Sequence, residues 1–212
     1  MTMAAATNTP NAVLYLATWL PAHLRVQFSA WCDDHHREQL VLPGFRRARR
    51  FEWVSGGRDD DPPQYLTMYD LDSLAALHTE AYVEHTKSSG GLPDFLRGHI
   101  RVQRRDCNVL AALPSSWWPP THTSLLNLFH LNDDELAVGL QDHMSMLTAT
   151  SAAPIPDFTL RIIDSDNDEP IVLVDHDDAA TAFIDTITAA SGSLRSSWRC
   201  VFDEQSSASE QA

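Results

Sequence analysis

The chain is short of cations, of cysteines and of long apolar runs, and each shortage removes a class of function. Its 212 residues hold 15 Lys and Arg against 29 Asp and Glu, a formal net charge of -14. A nucleic-acid surface needs a basic patch to displace counterions from phosphates, so no nucleic-acid partner is expected. The cations are also unevenly spread: beyond the middle of the chain only Arg161, Arg195 and Arg199 occur, which makes the second half the acidic, solvent-facing partner. Cys32, Cys107 and Cys200 are odd in number, far apart and in no CxxC pattern. Neither a disulfide framework nor a zinc knuckle is indicated, and a reducing cytoplasm is the simplest compartment. No apolar stretch approaches the roughly 20 residues needed to cross a bilayer, and the opening MTMAAATNTP lacks the basic region of a signal peptide. No membrane partner is expected. GxGxxG, P-loop and GxSxG patterns are absent too, and no cofactor is expected.

What is present is a 43% hydrophobic chain, long enough for one large domain or two small ones. Ala12 to Leu20 (AVLYLATWL) is a dense apolar run, too short for a typical helix and read as a buried strand. Pro21 ends it and suits a helix start, so a helix is expected from about Ala22. Its apolar stripe is Leu24, Phe28, Trp31, His35 and Leu42, which points His35 inward beside Trp31 and leaves Asp33, Asp34 and Arg37 toward solvent. Pro43-Gly44 breaks the helix. A strand from Phe45 to Val54 should then carry Phe45, Arg47, Arg49, Phe51 and Trp53 on one side, and Arg46, Ala48, Arg50, Glu52 and Val54 on the other. After the turn SGGRDDDPP, Gln64 to Leu71 completes a hairpin, and a second helix runs from Asp72 or Ser73 to about Glu84, with Leu74, Leu77, His78 and Tyr82 inward. A strand from about Ile100 to Leu110 closes a βαββαβ series.

The plan then repeats. A linker rich in proline and serine, residues 113–123, separates the first unit (11–112) from a second (124–204). Thr123 to Leu131 matches Ala12 to Leu20 without a gap, setting Leu125 on Leu14 and His130 on Trp19. A helix over Asp133 to Thr148 repeats the stripe as Leu136, Leu140, His143 and Leu147, with Leu147 at the imidazole position. Phe158 to Ser165, Ile171 to Asp178 and Leu194 to Asp203 supply three further strands, with Asp175 on Asp70. Two tandem four-stranded antiparallel sheets, each with helices on one face, would pack their free faces together.

That element order, together with WCDDHHREQLVLPGFRRARRFE (Trp31 to Glu52) and YLTMYDL (Tyr65 to Leu71), resembles the dimeric α+β barrel superfamily of ferredoxin-like folds, and within it EthD-like proteins. The resemblance implies an α+β fold of two ferredoxin-like repeats closing an intrachain barrel, and a pocket between sheet and helices. It also brings a varied list of activities: cofactor-independent monooxygenases, cyclases, isomerases, aldoxime or haem enzymes. A monomer with an internal pseudo-dimer follows from the tandem arrangement.

The candidate site lies in the first unit. Counting back from Pro43-Gly44 selects His35 as the acid or base, and counting from Trp31 selects His36; an imidazole in a partly dry pocket can move protons in either direction. The competing structural reading is a core histidine satisfied by a carbonyl. Tyr69 is the candidate hydroxyl donor, and Tyr15, Trp19, Phe28 and Trp31 would wall an apolar ligand, although aromatics at such spacing are commonly core. Arg49 could hold an oxyanion; the alternative is that Arg47, Arg49 and Arg50 form an exposed or edge face paired with acids. His35, His36, His130, His143, Asp33 and Asp34 are metal-ligand types, but adjacent histidines on a helix diverge by about 100° and no HExxH or HxH occurs, so no metal is expected. The expected function is a cofactor-independent acid/base enzyme acting on a small, mostly apolar carbonyl or phenolic compound. The alternatives are a non-catalytic binding protein for such a ligand, or a haem protein using His35 or His143.

Overall fold

The computed structural model describes residues 10–56, 61–88, 92–113, 125–130, 158–164, 171–176 and 195–205. Eight strands lie in these segments: β1 (Ala12–Trp19), β2 (Phe45–Gly56), β3 (Tyr65–Leu71), β4 (Arg101–Leu113), β5 (Leu125–His130), β6 (Phe158–Asp164), β7 (Ile171–His176) and β8 (Arg195–Gln205). They form one closed antiparallel barrel in the order β1-β3-β2-β8-β5-β7-β6-β4. Strands one to four are thus arranged 4-1-3-2, and strands five to eight 8-5-7-6. Closure depends on the two long strands: β4 pairs with β1 through Asn108 and then continues onto β6, while β8 pairs with both β5 and β2. No helix among the described residues is long and apolar enough to cross a membrane.

Helix α1 (Arg25–Leu40) follows a single 3-10 turn at Ala22–Leu24, whose start is Pro21, as the proline rule anticipates. The second helical segment is broken: a 3-10 turn over Leu74–His78 stops at Thr79, and α2 (Glu80–Ser88) begins beyond it. Ala76, Leu77 and Tyr82 are buried there, whereas His78 is exposed, against expectation. The sharp return from α1 into β2 needs Gly44, which has φ +87°; a Cβ at that position would stand 2.7 Å from the Cβ of Ala76. Residues 114–123 of the expected linker and the helix expected over Asp133 to Thr148, with Leu136, Leu140, His143 and Leu147, lie outside the described residues, as do residues 57–60; Leu113, expected in the linker, ends β4.

Because helices cover one face of the first four strands and the barrel lumen lies on the other, β1 and β3 are buried on both faces. This explains their near-continuous apolar sequence. Alternation then decides which side each residue serves. Val13, Tyr15, Ala17, Phe51, Leu66, Met68, Leu126, Leu128, Ile163, Leu173 and Trp198 pack together inside the barrel. Leu14, Phe45, Ala48, Tyr69, Leu71 and Leu77 pack on the helix side. Phe45 departs from the alternation expected for β2, since a bulge between Phe45 and Arg47 puts it on the helix side with Ala48.

The lumen also holds a ring of four fully buried charges. Arg49 of β2 donates to Asp70 of β3 at 3.0 Å and to Asp175 of β7 at 2.5 Å; Arg161 of β6 donates to the same two carboxylates, at 2.6 Å each. All four side chains have 0% exposure and the ring is charge-neutral. Burial raises the Asp175 carboxyl, but Arg49 and Arg161 outweigh it and hold the group below its ordinary value. Arg49 stands opposite Met68 and Arg161 opposite Leu173, so each arginine occupies the same register relative to its own aspartate. Against that reference Leu14 faces Tyr69 and Asn127 faces Val174, so the place of Leu14 falls to Asn127, two residues beyond Leu125, the residue selected by the gapless sequence match.

These positions correct the expectation for the arginine strand. Arg47, Arg49 and Arg50 are paired with acids but are not exposed, and β2 is not an edge. Arg47 pairs with Asp203 in the lumen, and Arg50 reaches from the helix side to Asp33 at 2.8 Å and to the carbonyl oxygen of Ser29 at 3.2 Å.

Candidate functional site

A cavity of about 310 Å³ lies between the sheet and α1 and α2, near the small end for ligand pockets. Its floor is the helix side of β1 and β3: Leu14, Leu16, Thr18, Thr67 and Tyr69. Helix α1 gives one wall through Phe28, Trp31, Cys32, His35, His36 and Gln39. Opposite are Tyr82 and Thr86 of α2, Leu92, and Ile100, Val102 and Arg104 leading into and along β4.

The helix register differs from the one read in sequence. The most deeply set row of α1 is Phe28, Cys32, His36 and Leu40, at steps of four, with Trp31 and His35 flanking it. His36, outside the stripe read in sequence, has 0% exposure. Its Nε2 is 3.2 Å from the Cys32 Sγ, and its ring meets Tyr69 edge-on at 5.4 Å and Phe202 at 4.8 Å. Nδ1 of the same ring is buried without a hydrogen-bond partner. Burial, followed by the charges of Arg50, His35 and Arg37, pulls the His36 imidazole well below its usual value. Burial pushes the neighbouring Tyr69 hydroxyl well up, with Cys32 and Tyr82 adding to it, and raises the Cys32 thiol against the opposing effect of Arg50. Where the α1 wall meets the floor, the cavity therefore presents an imidazole, a thiol and a phenol side by side, all in their neutral forms at pH 7.

His35 stands at the side of the cavity in a stack of three rings, 4.9 Å from Trp31 and 5.6 Å from His85. Burial and His85 bring it down to about 4. Gln39 lies 3.3 Å from its Nε2.

Of the residues singled out in the sequence, His35, His36, Tyr69, Phe28 and Trp31 converge on this cavity. Three do not. Tyr15 points into the barrel, where burial raises its hydroxyl to about 12, because odd-numbered β1 residues face the lumen. Trp19 is on the same side, under the Arg101 guanidinium at 3.9 Å, and donates its Nε1–H to the Asp61 carbonyl at 2.8 Å. Arg49 is consumed by the charge ring and reaches no ligand. Sequence reasoning missed Cys32, Gln39, Tyr82 and Arg104. The Cys32–His36 pair carried a usable signal, an i,i+4 spacing on one helix. His143 lies outside the described residues, and of His130 only the backbone is described.

The fold class is therefore a closed α/β barrel with a helix-covered side pocket, and solved structures share it. The chain is similar to an anthrone oxidase-like protein (14% identity, 96% of each chain covered, TM-score 0.60). It is also similar to a monooxygenase candidate from Lactobacillus acidophilus (8% identity, 92% of this chain and 97% of that one, TM-score 0.59) and to another from Fusobacterium nucleatum (8% identity, 92% and 94%, TM-score 0.56). At such identities the likeness is one of fold. No protein-family model and no curated protein matches the sequence.

Proposed function

We propose that the chain is a cofactor-independent enzyme that takes a proton from a small, mostly apolar phenolic or carbonyl compound held under α1 and α2, in a reaction of the monooxygenase type. The observation that carries this reading is His36: a buried imidazole on the cavity wall, with Nδ1 unpartnered and Nε2 held by Cys32. A buried polar atom without a partner costs stability, and this one belongs to a cavity wall, where a bound ligand can answer it. The fold shared with an anthrone oxidase-like protein supports the choice of chemistry. In an anthrone-type substrate the methylene between two aryl rings is acidic. His36 accepts its proton, and Tyr69 steadies the oxygen on which negative charge collects. The electron-rich carbanion reduces dioxygen, the methylene becomes a carbonyl, and one water leaves per dioxygen consumed. Phe28 and Trp31 hold the rings. The same reading treats the chain as two ferredoxin-like βαββαβ repeats that close one barrel, so that a monomer suffices.

The test is oxygen uptake and quinone formation with an anthrone, alongside ligand affinity from tryptophan fluorescence. The wild type should consume one dioxygen per product, and His36→Gln should keep the affinity while losing turnover by about 10²- to 10⁴-fold. If His36→Gln turns over normally, the acid/base role of His36 is wrong; if ligand binds tightly with no turnover in any variant, the chain is a carrier for that ligand.

A further inference from the structure

At the edge of the cavity, away from the His36 floor, α1 and α2 bring together three ligand-type side chains from different parts of the sequence. One ligand atom each from His35, Glu38 and His85 lie within 4.8 Å of one another, and His35 Nδ1 is 3.9 Å from the Glu38 carboxylate. It is the one such group of His, Cys, Asp and Glu among the described residues. The spacing of His35 and Glu38 is i,i+3 on one helix face, and His85 belongs to the last turn of α2, where the helix dipole favours a cation. We propose that these residues form a binding site for a divalent transition-metal ion of the zinc, cobalt or nickel type, bridging the two helices that cover the cavity.

The donor set is two imidazoles and one carboxylate, which suits borderline divalent ions and is poor for calcium or magnesium, whose preference is for oxygen. Ligand atoms around one such ion stand about 3 to 3.5 Å apart at metal–ligand distances near 2.1 Å, so the widest pair must close by roughly 1.5 Å, and the stacked His35 and His85 rings must turn to aim their lone pairs at one point. Glu38 is more than half exposed and can supply most of that movement. Gln39 provides an independent indication. Its Oε1 is buried with no partner, while its Nε2 is 3.3 Å from His35 Nε2. Turning the amide over, an exchange of similar shapes, lets Oε1 accept the Nε2–H of His35, with the amide nitrogen taking the place that has no partner. The tautomer so fixed leaves the lone pair on Nδ1, which is itself buried, unpartnered and on the side of Glu38. A histidine whose far nitrogen is held by an amide carbonyl while the near one faces a carboxylate and a second imidazole is the usual arrangement around a bound metal. Three protein ligands leave at least one coordination position open. Because His35 is also part of the cavity wall, an oxygen of a bound ligand can reach that position.

The experiment uses tag-free full-length chain, treated with chelator and dialysed, then titrated with Co²⁺ and with Zn²⁺. Calorimetry and the visible absorption of bound Co²⁺ are followed, with Glu38→Gln and His85→Asn as variants. Neither variant touches the His36 floor, and Glu38→Gln changes an exposed side chain, so loss of folding will not obscure the result. The proposal expects one ion per chain, with affinity falling about 10- to 100-fold in each variant. It is overturned if the wild type shows no saturable binding, or if both variants bind as the wild type does, which would place the ion elsewhere on the chain. The readout is binding alone, so its failure leaves the oxygen-uptake test untouched.

Discussion

The two faces of the β1–β3 sheet bury polar groups in opposite ways. Toward the lumen, Arg49, Asp70, Arg161 and Asp175 are all charged, and each is bonded to both of its oppositely charged neighbours. Toward the helices, His36, Cys32 and Tyr69 are neutral, and the imidazole keeps an unanswered nitrogen. Balanced charge is what a structural core demands, because an uncompensated buried charge is costly. An unpartnered nitrogen beside a cavity is what a ligand can complete. Charge alone would have drawn attention to the arginines; the cavity directs it to the histidine.

The lumen gives the largest expected effect. Asp70→Asn leaves Arg49 and Arg161 with half their counter-charge and should cost about 3–5 kcal/mol, measured by chemical denaturation. A loss under about 1 kcal/mol would show the ring to be incidental and erase the contrast. His36→Gln is the matching change on the other face: turnover falls while stability moves by no more than about 1.5 kcal/mol, because the group removed had only one weak sulfur partner. Should it unfold the protein as Asp70→Asn does, both faces are scaffold. Trp31→Ala removes one ring of the stack with His35 and should lower ligand affinity about tenfold with little change in the rate from saturated enzyme. Acid titration probes the ring most gently. Asp175 has a depressed value in the folded state, so the unfolded chain binds more protons near pH 4. Its contribution is complete above the ordinary carboxylate value of about 4 and disappears as the pH falls through the lower folded value. A tilt of stability in that window, absent in Asp175→Asn, is the expected signature.

Much of the frame was legible because strands buried on both faces write themselves as dense apolar runs. Ala12 to Leu20, Ile171 to Asp178 and the stop at Pro43-Gly44 each mark an observed element. The charge ring was not legible, since its members lie as far as 126 residues apart and no local pattern joins Arg49 to Asp175. It was also concealed by the scarcity of cations in the second half: Arg161 stands alone in β6, in the register of Arg49, with no arginine run to mark it. The cavity was half legible. A stripe drawn through Trp31 and His35 rotates α1 away from the row of Phe28, Cys32, His36 and Leu40, because a bulky indole outweighs a thiol in any hydrophobic count, although it is the thiol that packs inward. The part supplied by α2 could not be read from α1 at all.

The ring of four charges has one more consequence. Arg49 bonds Asp70 within the first unit, and Arg161 bonds Asp175 within the second, before either reaches across. A backbone break between residues 113 and 125 would therefore split the ring into two neutral couples, one per fragment, and of the other buried charges among the described residues only Arg47 would lose an ion-pair partner, Asp203 of β8; each fragment would also carry an open β2 or β6 edge awaiting β8 or β4. Two such pieces, made separately and mixed, would present complementary strand edges through which to pair.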